Sequence, residues 1–226
     1  MEIINSIQIV GSIAMEPHYD HTVCGEAFYH IEVAAERLSG VCDVLPVTVS
    51  EKLIGEGGPE ELALGRRVFV SGQVRSYNQR TGERSRLIIT VFAKDIAVIP
   101  EDISPEEEQD PPHKSALLWD SSDKNEVRLS GAVCKPVVYR TTPFSREISD
   151  VLLAVNRRYG KSDYLPCIAW GRNARYAEGL SVGEPVFVSG RLQSRSYQKM
   201  LPDGTAEQRT AYEISCSSIE RHETLD

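Results

Sequence analysis

The segment VFVSG stands at 68–72 and again at 186–190, 118 residues further along the chain. Upstream of it the repeat continues at a constant spacing of 120 residues. In the first copy, the residues that recur at this spacing are Asn5, Gly11, Tyr19, Thr22, Ala34, Arg37, Gly40, Asp43, Leu45 and Pro46. Two long runs in fixed register indicate a tandem duplication, so each copy must be able to form the same unit. Copies of roughly 100 residues have the size of domains.

Within each copy, apolar and polar residues alternate in the manner of β-strands, starting around Gly11 and Gly131, and a glycine inside a strand commonly marks a bulge or bend. The further predicted strands are 28–37, 44–50, 68–77 and 86–98 in the first copy, and 150–157, 164–170, 186–197 and 210–219 in the second. One helix is predicted between the third and fourth strands of each copy, at 51–64 and 172–180. Five strands with one helix in this position predict an all-β fold of two tandem OB-fold Greek-key barrels.

Charge is divided unevenly along the chain, whose net charge is −8 at neutral pH. Residues 1–99 carry a net charge of −4, residues 100–124 carry −6, and residues 125–226 carry +2. The middle segment is rich in proline, acidic residues and serine, which indicates an extended linker. We therefore predict an OB-fold domain at 1–99, an acidic linker at 100–124 and a second OB-fold domain at 125–222. The patch Ala116–Trp119 inside the linker fits either an anchor on one domain or a partner-docking motif.

Several classes of protein are disfavoured by the sequence. No apolar run is long enough to span a bilayer, and the first residues lack the pattern of a signal peptide. The five cysteines form no C-x-x-C pair, so we expect reduced thiols in a cytoplasmic protein rather than zinc ligands or disulfides. No P-loop, G-x-S-x-G or H-E-x-x-H motif is present, so neither an enzyme nor a cofactor is predicted. His18, Asp20 and His21 hint at a metal site, but a solvated loop is the favoured interpretation.

Three segments of the second copy occur together: NEVRLSG at 125–131, LAVNRRYGKSDYLPCIAWGR at 153–172 and VGEPVFVSGRLQSRSY at 182–197. With them, nearly the whole second copy resembles the bacterial single-stranded DNA-binding protein family. The two-copy arrangement is also similar to primosomal replication protein N, a relative in the same family. The resemblance implies binding of single-stranded DNA in replication, recombination or repair. It also implies an assembly of four OB-folds, which two chains would reach as a homodimer.

Single-strand binders need aromatic faces for unpaired bases and cations for the phosphates between them. The resemblance places base-stacking aromatics at Tyr159, Tyr164, Trp170 and Tyr197. The cations among them that we expect at the nucleic acid are Arg158, Lys161, Arg172, Arg191 and Arg195. Tyr77 and Arg75 of the first copy complete the predicted nucleic-acid-binding residues. This set predicts sequence-tolerant binding that weakens steeply with salt.

Some of these residues have a second interpretation. Trp170 fits a core position as well as a binding position, because both faces of its predicted strand are fairly apolar. Arg157 corresponds to Arg37 in the first copy, and an internal ion pair is as good an interpretation for both as a phosphate contact. In the long first loop of the second copy, Tyr139, Arg140 and Phe144 fit either ligand contact or a solvated loop.

The first copy retains only Tyr77 of the aromatic set, which predicts a division of labour between the copies. The second copy would do most of the stacking, and the first would supply phosphate contacts or, more readily, an assembly surface. This leaves an alternative function open, a primosome-like protein-interaction module with secondary nucleic-acid affinity and replication proteins as partners. RNA also remains open as a ligand, because stacking and phosphate contacts do not read the 2′-hydroxyl.

Overall fold

The computed structural model describes residues 3–55, 57–82, 84–100, 122–200 and 204–222. The predicted linker, with its Ala116–Trp119 patch, lies almost wholly outside the described residues. In the first copy the elements are β1 (Asn5–Val23), β2 (Glu26–Glu36), β3 (Cys42–Ser50), α1 (Glu51–Ile54), β4 (Arg67–Thr81) and β5 (Arg84–Val98). In the second copy they are β6 (Lys124–Val133), β7 (Val138–Thr141), β8 (Glu147–Asn156), β9 (Ser162–Trp170), α2 (Arg172–Glu178), β10 (Pro185–Met200) and β11 (Ala206–Arg221). Short 3-10 turns occupy Pro59–Leu62 and Arg158–Gly160.

Both copies close into a five-stranded barrel with the same strand order. The order is β1-β2-β3-β5-β4 and back to β1 in the first copy, and β6-β8-β9-β11-β10 and back to β6 in the second. In each barrel the third and last strands run parallel, as shown by the pairs Val47↔Val91 and Cys167↔Ile214. This Greek-key connection confirms the predicted all-β fold of two OB barrels.

The chain forms two compact units whose limits differ from those of the two copies. One unit, here called the second-barrel unit, contains Met1–Ile7, Gln73–Thr90 and Glu126–Asp226. The other, the first-barrel unit, contains Gln8–Gly72 and Val91–Asn125. The outer parts of β4 and β5, residues 73–90, therefore belong with the second barrel although they come from the first copy. We call residues 73–90 the first-copy hairpin.

Alternate residues of the strands fill each barrel with β-branched and leucine side chains. The fully buried set in the first-barrel unit includes Ile9, Ile13, Ile31, Val33, Leu45, Val47, Val70 and Val91. In the second-barrel unit it includes Leu129, Leu153, Leu165, Val188, Leu192 and Ile214. Among the described residues, no helix is long and apolar enough to cross a membrane.

Two glycines of the second barrel stand where another strand's backbone comes close. A Cβ on Gly131 would lie 2.6 Å from the carbonyl oxygen of Ala154, which belongs to β8, the strand that closes the barrel against β6. A Cβ on Gly190 would lie 2.1 Å from the carbonyl oxygen of Ser215, beside a register shift in the β10–β11 pairing. Glycine is needed at both positions because any side chain would push the paired strands apart.

Gly190→Ala is expected to destabilise the second barrel by about 1–3 kcal/mol, the usual cost of forcing extra volume into a packed region. Gly179→Ala is the matched control, because the nearest atom to a Cβ there would be the carbonyl oxygen of Tyr176 at 3.6 Å, and the φ of Gly179 is −81°. Urea unfolding of both variants measures the difference. Equal midpoints for the two variants would show that the β10–β11 pairing adapts to the added methyl group.

The helix predicted at 51–64 is wrong as a single element. Instead, α1 is a single turn capped by the Ser50 hydroxyl, which accepts a hydrogen bond from the backbone N–H of Lys52. Gly55 and Gly58 then adopt φ values of 82° and 69°, in the left-handed region that ends helices. Pro59 opens the 3-10 turn because its fixed φ suits the first position of a helical turn.

The second copy departs from the prediction in two places. Helix α2 ends at Glu178, earlier than the predicted 180, and Gly179 forms its C-cap. The long first loop contains a further strand, β7, which pairs with β8 from Val138↔Asp150 to Thr141↔Glu147. This places Tyr139 and Arg140 on a strand edge rather than on a free loop.

Candidate nucleic-acid interface

Strand β9 separates a core face from an outer face. Leu165, Cys167 and Ala169 are buried on one face, whereas Tyr164 and Trp170 are 43% and 38% exposed on the other. Side chains two residues apart project to the same side of a strand. The alternative that Trp170 lies in the core is therefore wrong, because its ring stands on the side of β9 that faces away from the barrel interior.

The outer face of β9 continues across β11 onto β10. Ile168 pairs with Ser215, and Ser215 pairs with Arg191. Directly paired residues project to the same face of a sheet. Arg195 and Tyr197, four and six residues beyond Arg191, follow on that face without a further register shift. We call this surface the outer face and define it by Tyr164, Trp170, Arg191, Arg195 and Tyr197.

Tyr197, on the long β10–β11 hairpin, has two arginines as neighbours. The guanidinium carbon of Arg195 is 5.8 Å from the centre of the Tyr197 ring. Arg209 is the direct cross-strand partner of Tyr197, and its guanidinium donates to Glu207 at 2.6 and 2.9 Å. This hydrogen bond lowers the pKa of Glu207 and raises that of Arg209. Sequence reasoning missed Arg209, because it precedes the strand predicted at 210–219, and only the pairing of β10 with β11 places it opposite Tyr197.

Carboxylates partner several arginines of this surface. The Oε1 atom of Glu213 accepts from Gln193 at 2.7 Å and lies 3.8 Å from the Nε atom of Arg195. Asp150 accepts from Arg140 at 3.0 and 3.2 Å, and the same hydrogen bonding raises the pKa of Arg140. The Arg140–Asp150 pair is exposed on both sides and therefore weak, so a phosphate group can take the place of Asp150. The Arg195 side chain is 59% exposed, and its 3.8 Å approach to Glu213 leaves it open to a phosphate as well.

Arg140 lies in line with Trp170 across two strand pairings. Arg140 pairs with Ile148, and Ile148 pairs with Trp170. Nearby, Phe144 is 87% exposed in the turn between β7 and β8. The hydroxyl of Tyr139, by contrast, donates to Glu147 at 2.8 Å, which raises the pKa of Tyr139. Arg140 and Phe144 thus extend the exposed surface beside Trp170, whereas the polar end of Tyr139 is held by Glu147.

The turn between β8 and β9 presents the most exposed aromatic of the predicted set. Tyr159 is 97% exposed and adopts a φ of 70°, in the left-handed region. Arg158 and Lys161 flank it and are also exposed, and Arg172 is exposed at the start of α2. A side chain this open contributes little to the core, so its ring and the adjacent cations are available for a ligand.

Arg157 forms an internal ion pair. Its guanidinium donates two hydrogen bonds to Asp163, from Nε to Oδ2 at 2.6 Å and from Nη2 to Oδ1. Asp163 is fully buried. The first copy repeats the arrangement, with Arg37 donating to the fully buried Asp43 at 2.7 and 2.5 Å, which raises the pKa of Arg37. Of the two open interpretations for this arginine, the structure supports the ion pair.

Arg75 and Tyr77 of the first-copy hairpin belong to the second-barrel unit. The Nη1 atom of Arg75 lies 3.3 Å from Oδ2 of Asp163, and its Nη2 atom donates to Gln73. The guanidinium of Arg75 therefore supports the buried carboxylate, and a phosphate contact is a weaker interpretation for it. Tyr77, two residues further, is 53% exposed.

The first-barrel unit carries a cluster of rings that sequence reasoning missed. His18 and His30 have ring centres 5.1 Å apart, His21 stacks on Phe28 at 5.0 Å, and Phe28 lies 5.8 Å from Phe92. These rings come from β1, β2 and β5, and the β1–β2 pairing shifts register three times between Ile13 and His21. Only the strand pairing brings them together, so their spacing in the sequence gives no signal. Among the described residues, no group of three or more metal-ligating side chains could hold an ion.

Acidification is expected to destabilise the first barrel through His30. Burial, followed by the charge of His18, lowers the pKa of His30, while Glu32 and Asp20 act in the opposite direction. The unfolded chain therefore takes up this proton more readily than the folded chain. The free energy of unfolding should fall as pH drops from the ordinary histidine pKa of about 6.5 towards the lower folded value. Urea midpoints above and below that pH measure the loss, which should be smaller in His30→Gln. An equal loss of unfolding free energy on acidification in the wild-type protein and in His30→Gln would show that His30 is not its source.

Comparisons with known proteins bear on the second copy and on the whole chain. The model of the Single-strand binding protein family matches residues 124–222. Single-stranded DNA-binding protein B of Bacillus subtilis is 36% identical over 81 residues, which are 33% of this chain and 72% of that protein. The chain belongs to the single-strand binding protein family. The match to the family model and the 36% sequence identity confirm the resemblance that the AVNRRY and AWG segments indicated.

Two further proteins show how much of the chain is similar to known members of the family. The single-stranded DNA-binding protein of Clostridium tetani is 35% identical over 88 residues, or 36% of this chain, and the chain spans 59% of that relative's length. The crystal structure of the wild-type single-stranded DNA binding protein from Thermus aquaticus aligns with a TM-score of 0.74 at 20% identity, covering 100% of this chain and 96% of that one. At this identity the likeness concerns the fold, and it includes both barrels.

Proposed function

We propose that this chain binds single-stranded DNA, without catalysis and with little sequence preference, on the outer face of its second barrel. The observation that carries the proposal is the set of exposed rings at Tyr164, Trp170 and Tyr197 on one face, with arginines beside them. Membership of the single-strand binding protein family supports the ligand class. Replication, recombination and repair are the processes in which such a protein acts.

Base stacking supplies the sequence-tolerant part of the affinity. Each stacked base contributes about 1–3 kcal/mol, and every base offers a π-face. The ring of Tyr159, on its exposed turn, is a further stacking position in this proposal. Arg158, Lys161, Arg172 and Arg195 supply phosphate contacts, together with Arg209 and Arg140 once phosphate displaces their carboxylate partners.

Binding of a labelled oligodeoxythymidylate, followed by fluorescence anisotropy, tests the proposal. We expect binding that weakens steeply between about 50 and about 200 mM salt, because phosphate contacts release counterions. A double-stranded oligonucleotide of the same length should compete poorly. No binding at either salt concentration would reject the proposal and favour the protein-interaction module.

Arg158→Ala is expected to reduce the slope of log affinity against log salt by about 0.7, the value for one phosphate contact on a single strand. Arg128→Ala is the control, because Arg128 is also exposed but stands on β6, which is not part of the outer face. An identical change in slope for the two variants would indicate a general charge effect and not a contact at the β8–β9 turn.

The proposal includes a homodimer with four OB-folds in a cytoplasmic protein, and replication proteins as partners. Sedimentation equilibrium distinguishes a dimer from the 25.1 kDa single chain. A single species of monomer mass, with and without oligonucleotide, would remove the dimer from the proposal and leave DNA binding untouched.

A further inference from the structure

Both ends of the acidic segment 101–121, which lies outside the described residues, are held at one residue of the first-barrel unit. Before the segment, the backbone N–H of Ile99 donates to the carbonyl oxygen of Arg67 at 2.8 Å. After the segment, the Oδ1 atom of Asp123 accepts a hydrogen bond from the guanidinium of Arg67. All three residues belong to the first-barrel unit. The segment therefore leaves this unit at Arg67 and returns to it at the same place.

Asp123 fixes the returning end beside the turn between β2 and β3, residues 37–41. Its Oδ2 atom accepts a hydrogen bond from the backbone N–H of Glu36, the last residue of β2, at 2.6 Å. The charge of Asp123 also contributes, after the larger effect of burial, to raising the pKa of Cys42, the cross-strand partner of Glu36. The side chains of Arg67 and Asp123 are only 27% and 18% exposed, so salt screens their ion pair less than a surface pair. The residues just before Asp123 must therefore lie near this turn.

The turn carries two exposed aliphatic side chains. Its backbone is closed by a hydrogen bond from the N–H of Arg37 to the carbonyl oxygen of Val41 at 2.8 Å. Leu38 is fully exposed, and Val41 is 51% exposed. The repeat spacing of 120 residues aligns Leu38 with Arg158 and Val41 with Lys161. The first copy thus presents aliphatic side chains where the second presents cations, and covering them with another apolar group would be favourable.

An apolar segment of the chain lies within reach of this turn. Residues 117–119, which read Leu-Leu-Trp, are the apolar residues that precede Asp123 most closely. An extended chain spans at most about 3.6 Å per residue, so the Cα atom of Trp119 lies within about 14 Å of that of Asp123. By the same limit, the Cα atom of Leu38 lies within about 7 Å of that of Glu36, whose N–H binds Asp123. The two apolar groups are therefore confined to the same small region of the surface.

We propose that Trp119, with the two leucines before it, packs against Leu38 and Val41, so that the chain itself covers the turn between β2 and β3. The proposal goes beyond DNA binding and does not depend on it. The sequence left open whether the patch at 116–119 anchors on one domain or binds a partner. The position of Asp123 supports the anchor, and the two aliphatic side chains of the turn supply its surface.

The fluorescence of Trp119 tests the proposal in the full chain. Trp170→Phe leaves Trp119 as the single tryptophan of this parent protein. An indole packed against apolar side chains emits at shorter wavelength than an indole in water, and we expect that emission in the folded parent. Adding Leu38→Ser and Val41→Ser should reduce the ratio of docked to free segment about 10- to 100-fold, because two partly buried aliphatic side chains lose their contact. The emission should then approach that of the urea-unfolded chain.

Val23→Ser in the same parent is the matched control. Val23 and Val41 are each 51% exposed, so both replacements remove an equally open valine of the first copy. Val23 pairs with Glu26, which is ten residues along β2 from Glu36 and therefore roughly 33 Å from it. That distance is beyond the reach of Trp119, so the control should keep the emission of the parent. Equal urea midpoints for the parent and the variants confirm that each is folded.

Three results would overturn the proposal. Emission of Trp119 in the folded parent at the wavelength of the urea-unfolded chain would show that the indole is not packed. Short-wavelength emission that persists in the Leu38/Val41 variant would show that Trp119 packs on another surface. A shift to longer wavelength when the parent is diluted would show that a second copy of the chain, and not the chain's own segment, covers the turn.

Discussion

Simultaneous replacement of Tyr164 and Trp170 by alanine is expected to abolish most of the affinity for single-stranded DNA. Each stacked base contributes about 1–3 kcal/mol, which is about 5- to 150-fold in affinity for each ring. The two rings stand on one face of β9 and are half-exposed, so they can receive bases without a change in the barrel. Their removal leaves arginine contacts that bind phosphate but hold no base.

The matched control for this double variant is Tyr176→Ala. Tyr176 and Trp170 are each 38% exposed, but Tyr176 lies on α2 and its hydroxyl accepts from the backbone N–H of Arg221. Anisotropy titrations with labelled oligodeoxythymidylate should show near wild-type affinity for the control. Wild-type affinity in the Tyr164/Trp170 double variant would mean that bases do not stack on β9, whatever other surface the DNA uses.

Asp163→Ala is expected to cost about 3–5 kcal/mol in the free energy of unfolding, the range for breaking a buried charge pair from one side. Asp163 is fully buried and accepts hydrogen bonds from Arg157, Arg75 and the backbone N–H of Ser76. Its removal leaves the Arg157 guanidinium without its carboxylate partner and the backbone N–H of Ser76 without its acceptor. Because those bonds also join the hairpin to the second barrel, the loss should exceed that of an ordinary surface pair.

Asp150→Ala provides the comparison within the same barrel. Asp150 pairs with Arg140, and the two side chains are 45% and 52% exposed. Exposed pairs contribute at most about 1 kcal/mol, because water solvates both charges after the pair is broken. Urea unfolding followed by circular dichroism measures both variants. A loss for Asp163→Ala no larger than that for Asp150→Ala would show that the buried network is not a major source of stability.

The fold was predictable because the duplication repeats each strand pattern. In addition, side chains along β9 and β10 alternate between the core and the outer face of the barrel. The prediction of one helix at 51–64 failed because Gly55 and Gly58 adopt positive φ values, so α1 ends after one turn. Trp170 could not be assigned from sequence, since Ile168 on its face is as apolar as its neighbours in the core.

The role of Arg157 needed the structure for a different reason. The spacing of six residues to Asp163 recurs between Arg37 and Asp43, which suggests a pair, but burial of the carboxylate decides it. The place of the first-copy hairpin depends on hydrogen bonds between residues more than 80 positions apart, such as that from Tyr164 to Ser76. A local sequence pattern cannot predict a contact between residues so far apart along the chain.

Tryptophan fluorescence tests the central claim most directly. The chain has two tryptophans, Trp119 and Trp170, so Trp119→Phe leaves Trp170 as the single reporter. Titration of this variant with poly-deoxythymidine should quench the emission strongly, and added salt should reverse the quenching as the phosphate contacts weaken. Binding seen by anisotropy without any change in Trp170 emission would contradict the claim that bases stack on the outer face of the second barrel.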